Sequence, residues 1–188
     1  MDPLTRAALA HVQFETLHPF LDGNGRVGRL MITLLLQTEG VLRAPMLYLS
    51  LFFKQHRTTY YELLQGVRTT GDWEAWLDFF YQGIAETSEN AVNTAKRLLE
   101  IFGEDRQRIQ AAGRVAGSVL QVHHHLQTRP LSTAAAIGQA EHLSPATVNK
   151  ALDRLMGLGI VRELTGGQRN RLFAYDQMLG LLMEGTGR

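Results

Sequence analysis

The chain has 188 residues, room for one ordinary domain and a small companion. Its apolar fraction of 45% supports a sizeable globular core, and the lack of any cysteine excludes a disulfide scaffold and thiolate metal sites. The net charge of +1 conceals a division: residues 1–105 hold 9 Lys+Arg against 13 Asp+Glu, whereas residues 106–188 hold 10 against 5. An acidic front joined to a basic back points to two units with different partners, the second suited to a polyanion.

No apolar run reaches the length of a membrane span; the longest, 30–36, is interrupted by Thr33. Residues 1–10 lack the charged and apolar regions of a signal peptide. Together with the missing cysteines, this predicts a protein of the reducing cytoplasm with no membrane partner.

In chain order, Leu4, Ala7, Ala8, Val12 and Phe14 give a helical pattern that stops before Pro19, because the residue preceding a proline avoids the helical region. A glycine-rich loop, 23–25, follows. Apolar residues resume over 27–36, and Gly40 sits where a helix would end. Residues 48–54, 60–67 and 73–84 read as three more helices, with Gly71-Asp72 supplying the break and the N-cap before the last. Trp73, Trp76, Phe79 and Phe80 are spaced as a core face. An amphipathic stretch over 91–110 reads as a separate connecting helix.

The back half has another rhythm. Residues 116–127 read as a helix ending near Arg129-Pro130, Ser132 as the cap of a short helix to Gln139, and Ser144-Pro145 as an N-cap with proline at the first helical position. Gly157 and Gly159 close that helix. Residues 160–164 and 171–175 read as two strands around a turn at 165–168. Three helices and a hairpin in this order are those of a winged helix-turn-helix. The predicted fold class is therefore mainly α, a helical bundle over 1–110 and a winged helix over 111–188. His123, His124 and His125 point in different directions around a helix, a poor arrangement for one metal.

The chemistry is concentrated in His18-Pro19-Phe20-Leu21-Asp22-Gly23-Asn24-Gly25-Arg26-Val27-Gly28-Arg29. Gly23, Gly25 and Gly28 formally satisfy the dinucleotide fingerprint, but that motif requires a preceding strand and an acidic residue about 20 positions later. Here a helix precedes it and Arg43 occupies the later position, so the reading fails. The loop is nevertheless suited to phosphate: glycines before a helix let backbone N–H groups converge on an anion at the positive end of the helix dipole. Arg26 and Arg29 lie three apart on one face of the first turn and can hold phosphate oxygens. Asp22 can ligate Mg²⁺, which takes one or two carboxylates plus substrate phosphates. His18 enters the same loop as a candidate general base.

The segment resembles the signature of the Fic family, H-x-F-x-[DE]-G-N-G-R-x-x-R, at every defined position, and the resemblance extends to about residue 85. It implies an all-helical catalytic domain, incomplete at its N-terminus because only 17 residues precede His18, and a nucleotidyltransferase that moves AMP from ATP to a Ser, Thr or Tyr hydroxyl of a target protein. By the same resemblance, His18 is the base, Phe20 anchors the loop in the core and Asp22 holds Mg²⁺. Gly23, Asn24, Gly25 and Gly28 belong to the phosphate cradle, Arg26 and Arg29 take the β- and γ-phosphates, and Tyr60 and Tyr61 match nucleotide contacts. Arg68 stands where some relatives place an Asn on the nucleotide. An inhibitory helix whose Glu pairs with Arg29 is expected upstream of residue 1.

For the back half, the functional expectation is DNA binding through the helix starting at Pro145, with Lys150, Arg154, Arg169 and Arg171 on phosphates. The competing readings are a DNA-binding regulator with a nucleotide-sensing or idle loop, and a subdomain that forms a homodimer through exposed apolar surface.

Overall fold

The computed structural model describes residues 1–43, 48–111, 116–167 and 171–184. It divides into two compact units, Met1–Asn93 and Thr94–Arg188.

The first unit starts with α1 (Pro3–Leu17), capped by Asp2, whose carboxylate accepts from Thr5 N at 2.9 Å, with Pro3 in the first turn. Its inner face is Ala7, Ala8, His11, Val12 and Glu15, so the apolar spacing seen in the sequence faces the core but carries two polar residues with it. The helix ends at His18 in the left-handed region (φ 46°, ψ 55°), its N–H donating to Phe14 O. A non-glycine residue there costs about 1–2 kcal/mol. α2 (Asn24–Thr38) packs against α1, and Gly23 enters it at φ 83°. α3 (Leu49–Gln55), α4 (Arg57–Thr70) and the start of α5 (Trp73–Ala111) complete the bundle. Asp72 caps α5 by accepting from Ala75 N at 3.2 Å.

The core gathers Ile32, Leu36, Phe52, Phe53, Tyr60, Leu64, Trp76, Phe79 and Phe80 around Ala7 and Ala8. Trp76 is fully buried and its indole N–H donates to Ala8 O at 3.2 Å, satisfying the polar atom that burial would otherwise orphan. Trp73 is the exception to the expected aromatic face; at the first position of α5 it stays partly exposed.

α5 is one continuous helix of 39 residues, where the sequence pattern suggested two. Residues 88–93 are exposed all round, and packing resumes at Leu98, Ile101 and Phe102. This moves the boundary between units to 93/94 from the expected 110/111, since the last turns of α5 supply Ile109 and Asp105 to the second unit's interior.

The second unit continues with α6 (Ala116–Thr128), β1 (Leu131–Thr133), α7 (Ala134–Glu141), α8 (Pro145–Gly157), β2 (Arg162–Glu163), β3 (Leu172–Ala174) and α9 (Asp176–Met183). The strands form an antiparallel sheet in the order β1-β3-β2, with Leu131 and Arg162 both opposite Ala174. Ser144 caps α8 through Thr147 N at 3.2 Å, with Pro145 following it. The cap of α7 is Thr133, which accepts from Ala136 N, and not Ser132. Ser132 lies in β1 with its hydroxyl 3.2 Å from His125 Nε2. β1 and α9 have no counterpart in the sequence reading.

Of the three consecutive histidines, His123 contacts Tyr175, His125 contacts Glu141 and Ser132, and His124 is exposed. Among the described residues no group of three or more His, Cys, Asp or Glu converges on a common point, and no helix is long and apolar enough to cross a membrane.

Candidate active site

The site is the turn between α1 and α2. Asn24, almost fully buried, clamps it: its Oδ1 accepts from Phe20 N at 2.9 Å and its Nδ2 donates to Phe20 O at 2.6 Å. The Asn24 amide thus closes the turn on itself. Asp22 Oδ1 accepts from Gly23 N at 2.6 Å. Its other oxygen lies 3.4 Å from Arg26 Nη2, and both side chains are largely exposed. Among the described residues no side chain caps α2, whose N-terminus carries the positive end of the helix dipole.

Arg29 folds back over the first turn; a Cβ at Gly25 would lie 3.1 Å from its Nη1. Gly28 is needed for closeness, because a Cβ there would come within 2.8 Å of Glu15 Oε1 and 3.2 Å of His11 Nδ1. The His18 imidazole is mostly exposed at the mouth of the turn, its Nδ1 4.0 Å from Glu15 Oε2.

The turn therefore brings His18, Asp22, Gly23, Asn24, Gly25, Arg26, Gly28 and Arg29 into one place. Two expectations need correction. Phe20 is 52% exposed and rests against Phe14, with ring centroids 6.2 Å apart, so it does not anchor the loop in the core. Tyr60 is 3% exposed, and its hydroxyl meets His11 Nε2 at 2.8 Å. It is a core residue here and offers no edge to a nucleotide. Burial also pushes its phenol above the usual tyrosine range. Tyr61 is exposed beside it, with the Arg57 guanidinium 5.7 Å from its ring centroid.

Two residues, His11 and Glu15, escaped sequence reasoning, as did the contact that Arg68 makes. His11 is buried between Phe53 and Trp76, and desolvation pushes its pKa from 6.5 to about 4. Glu15 is buried one turn further along. Arg68 donates to Glu15 O at 2.8 Å and to Thr16 Oγ1 at 3.2 Å, holding the last turn of α1. The available signal was the spacing: His11, Glu15 and His18 are separated by four and three, a polar row on one helix face.

In the second unit, Lys150 and Arg154 are exposed on α8. Arg171 is engaged instead: it pairs with Glu163 at 2.7 Å and lies over the Phe173 ring, which removes it from the free cations expected on that face. Arg169 lies outside the described residues.

A helix ending on a histidine, a glycine turn and a second helix without a side-chain cap thus meet in one short segment of an α-helical protein. Residues 1–36 match the Fic/DOC family. Among curated relatives, the protein adenylyltransferase Fic of Culex quinquefasciatus is 34% identical over 131 residues, 64% of this chain and 24% of that protein. The Aedes aegypti protein of the same name is 37% identical over 91 residues, 48% of this chain and 16% of its own length. Protein adenylyltransferase fic-1 of Caenorhabditis briggsae is 50% identical over 40 residues, 21% and 8% respectively. The chain thus spans a quarter or less of these relatives. A crystal structure of a Fic family protein from Desulfovibrio desulfuricans G20 superposes with a TM-score of 0.48 at 21% identity, covering 93% of this chain and 50% of that one.

Proposed function

We propose that the first unit carries the catalytic loop of a protein adenylyltransferase, which moves AMP from ATP to a Ser, Thr or Tyr hydroxyl of a target protein in the cytoplasm. The observation that carries this reading is the meeting of His18 with the uncapped start of α2, with Asp22 and Arg26 exposed beside them. The names of the relatives agree with it.

His18 takes the proton of the attacking hydroxyl. The hydroxyl oxygen bonds to the α-phosphorus, the bond from that phosphorus to the bridging oxygen breaks, and pyrophosphate leaves. The turn of Gly23, Asn24 and Gly25 cradles the α-phosphate, and Arg26 and Arg29 balance charge on the leaving pyrophosphate. Most of the rate comes from positioning and electrostatics. Asp22 fits Mg²⁺ as a single exposed carboxylate, the ligand count this ion uses when phosphates supply the rest. Bound there, Mg²⁺ would neutralise phosphate charge.

The test is incubation with Mg²⁺ and ATP labelled on the α-phosphate, alone and with cell lysate, beside His18→Ala. Covalent label lost in the variant and on chelation supports the reading. A folded chain that never labels, while a version extended at its N-terminus does, limits activity to the longer protein.

A second reading concerns Thr94–Arg188. Its element order, with β1 paired to β3 and β3 to β2, supports a winged helix-turn-helix in which α8 enters the major groove and Lys150 and Arg154 reach phosphates. Binding to duplex DNA that weakens steeply with salt would support it, and binding that ignores Lys150→Ala and Arg154→Ala would sink it.

A further inference from the structure

Beneath the loop lies a buried carboxylate that the proposed reaction does not use. Glu15 is on the inner face of α1, one turn before His18, with its side chain 8% exposed and Oε2 4.0 Å from His18 Nδ1. Its other oxygen has no hydrogen-bond partner among the described residues, nor has His11 Nδ1. Both border the small space above Gly28, where a Cβ would stand 2.8 Å from the one and 3.2 Å from the other. A buried carboxylate without full pairing is costly, and a fold keeps one where it serves another group.

The groups around it are few and placed. His11 backs it on α1, itself held through Nε2 by Tyr60 of α4. Arg29 of α2 reaches back beside it over Gly25. Arg68 of α4 pins the backbone at Glu15 and the side chain of Thr16. Residues of three elements thus stand around the carboxylate, while the imidazole it faces is mostly exposed.

We propose that Glu15 is a positioning residue for His18, accepting from Nδ1–H so that Nε2 points outward as the proton acceptor for the substrate hydroxyl. This rests on the adenylyltransferase reading for its chemistry but not for its geometry. The 4.0 Å separation closes by rotation of the exposed ring, as such contacts often tighten only when substrate binds. The carboxylate then faces the imidazolium that forms as His18 takes the proton, the part a buried Asp plays beside a catalytic His in serine proteases. Gly28 is the residue that makes room for it.

The experiment is ¹⁵N NMR of the histidine ring nitrogens of the full chain in alkaline buffer, with His18 assigned by its absence in His18→Ala. Free imidazole in histidine prefers the proton on Nε2. The expected result is an Nδ1–H tautomer for His18 that reverts toward Nε2–H in Glu15→Gln. A wild-type His18 already protonated on Nε2 overturns the proposal without any variant, so a Glu15→Gln chain that fails to fold does not protect it. In the labelled-ATP assay, Glu15→Gln lowers kcat for AMP transfer on the order of tenfold or more with KM for ATP unchanged, and Glu15→Asp, whose shorter arm cannot reach, does not rescue it. Equal kcat in wild type and Glu15→Gln also overturns the proposal. The expected tautomer in a chain that never transfers AMP leaves the pair standing and removes the adenylyltransferase reading.

Discussion

Tyr175 donates its hydroxyl to Asp105 Oδ2 at 2.6 Å inside the second unit, and His123 Nε2 lies 3.1 Å from the same oxygen of Tyr175. Arg108 pairs with the other carboxylate oxygen at 2.9 Å. Burial, reinforced by Asp105, pushes the phenol well above the usual tyrosine range. The last turns of α5 are thereby tied to the residue that follows β3. Tyr175→Phe keeps the ring and deprives two buried polar groups of a partner, at an expected cost of about 1–3 kcal/mol. Urea unfolding followed by far-UV circular dichroism checks it. Both tryptophans lie in the first unit, so their emission should keep its midpoint while the second unit's transition moves.

Acid should weaken the first unit through His11. Its pKa is depressed from 6.5 to about 4 by burial, so below pH 6.5 the unfolded chain binds the proton and the folded chain does not. Stability therefore falls as pH drops through this window and its His11 component levels off near pH 4. The loss is on the order of 3 kcal/mol. Urea midpoints from Trp76 emission, compared with His11→Gln, isolate the effect. The variant should start lower at neutral pH and show a shallower slope; parallel slopes would assign the acid response to other groups.

Two glycines on α5 should respond to alanine with opposite signs. A Cβ at Gly83 would meet Phe52 Cδ1 at 2.6 Å, in a ring already packed 5.0 Å from Phe79, whereas none of the described residues lies within 4 Å of one at Gly103. Gly83→Ala should destabilise by about 1–3 kcal/mol through overpacking. Gly103→Ala should stabilise by roughly 0.5–1 kcal/mol through helix propensity. Thermal melts of the two variants decide the matter.

Asn24→Ala should open the turn between α1 and α2. Two hydrogen bonds to Phe20 disappear and leave a backbone N–H and C=O in search of water, worth about 2 kcal/mol together. Hydrogen exchange at Phe20 should accelerate far more than exchange in the middle of α2. Equal acceleration at both places would mean that the clamp serves the whole unit and not the loop.

What the sequence made legible was local. The motif loop is contiguous, and Asp72, Ser144 and Pro145 announce their helix starts by chemistry that acts within one turn. Ser132 and Thr133 show the limit: either can cap, and the pairing of β1 with β3, forty residues away, decides between them. The joined helix α5 was hidden because residues 85–97 lose apolar periodicity. A helix needs no packing where propensity is adequate and neither glycine nor proline intervenes. Glu15 could be seen to share a face with His18, but its approach depends on the left-handed turn at His18 and on the missing Cβ of Gly28. Tyr60 matched a ligand position and became core because its hydroxyl found His11.

The bare turns of α5 have a consequence for how such a chain can be cut and joined. Every residue over 88–93 is exposed, so little beyond the backbone ladder protects the helix there and its local opening is cheap. A protease should enter there first and release two fragments that each keep their whole core. The same stretch is a seam at which the first unit can be joined to a different companion, needing only a polar helical register to continue across the join.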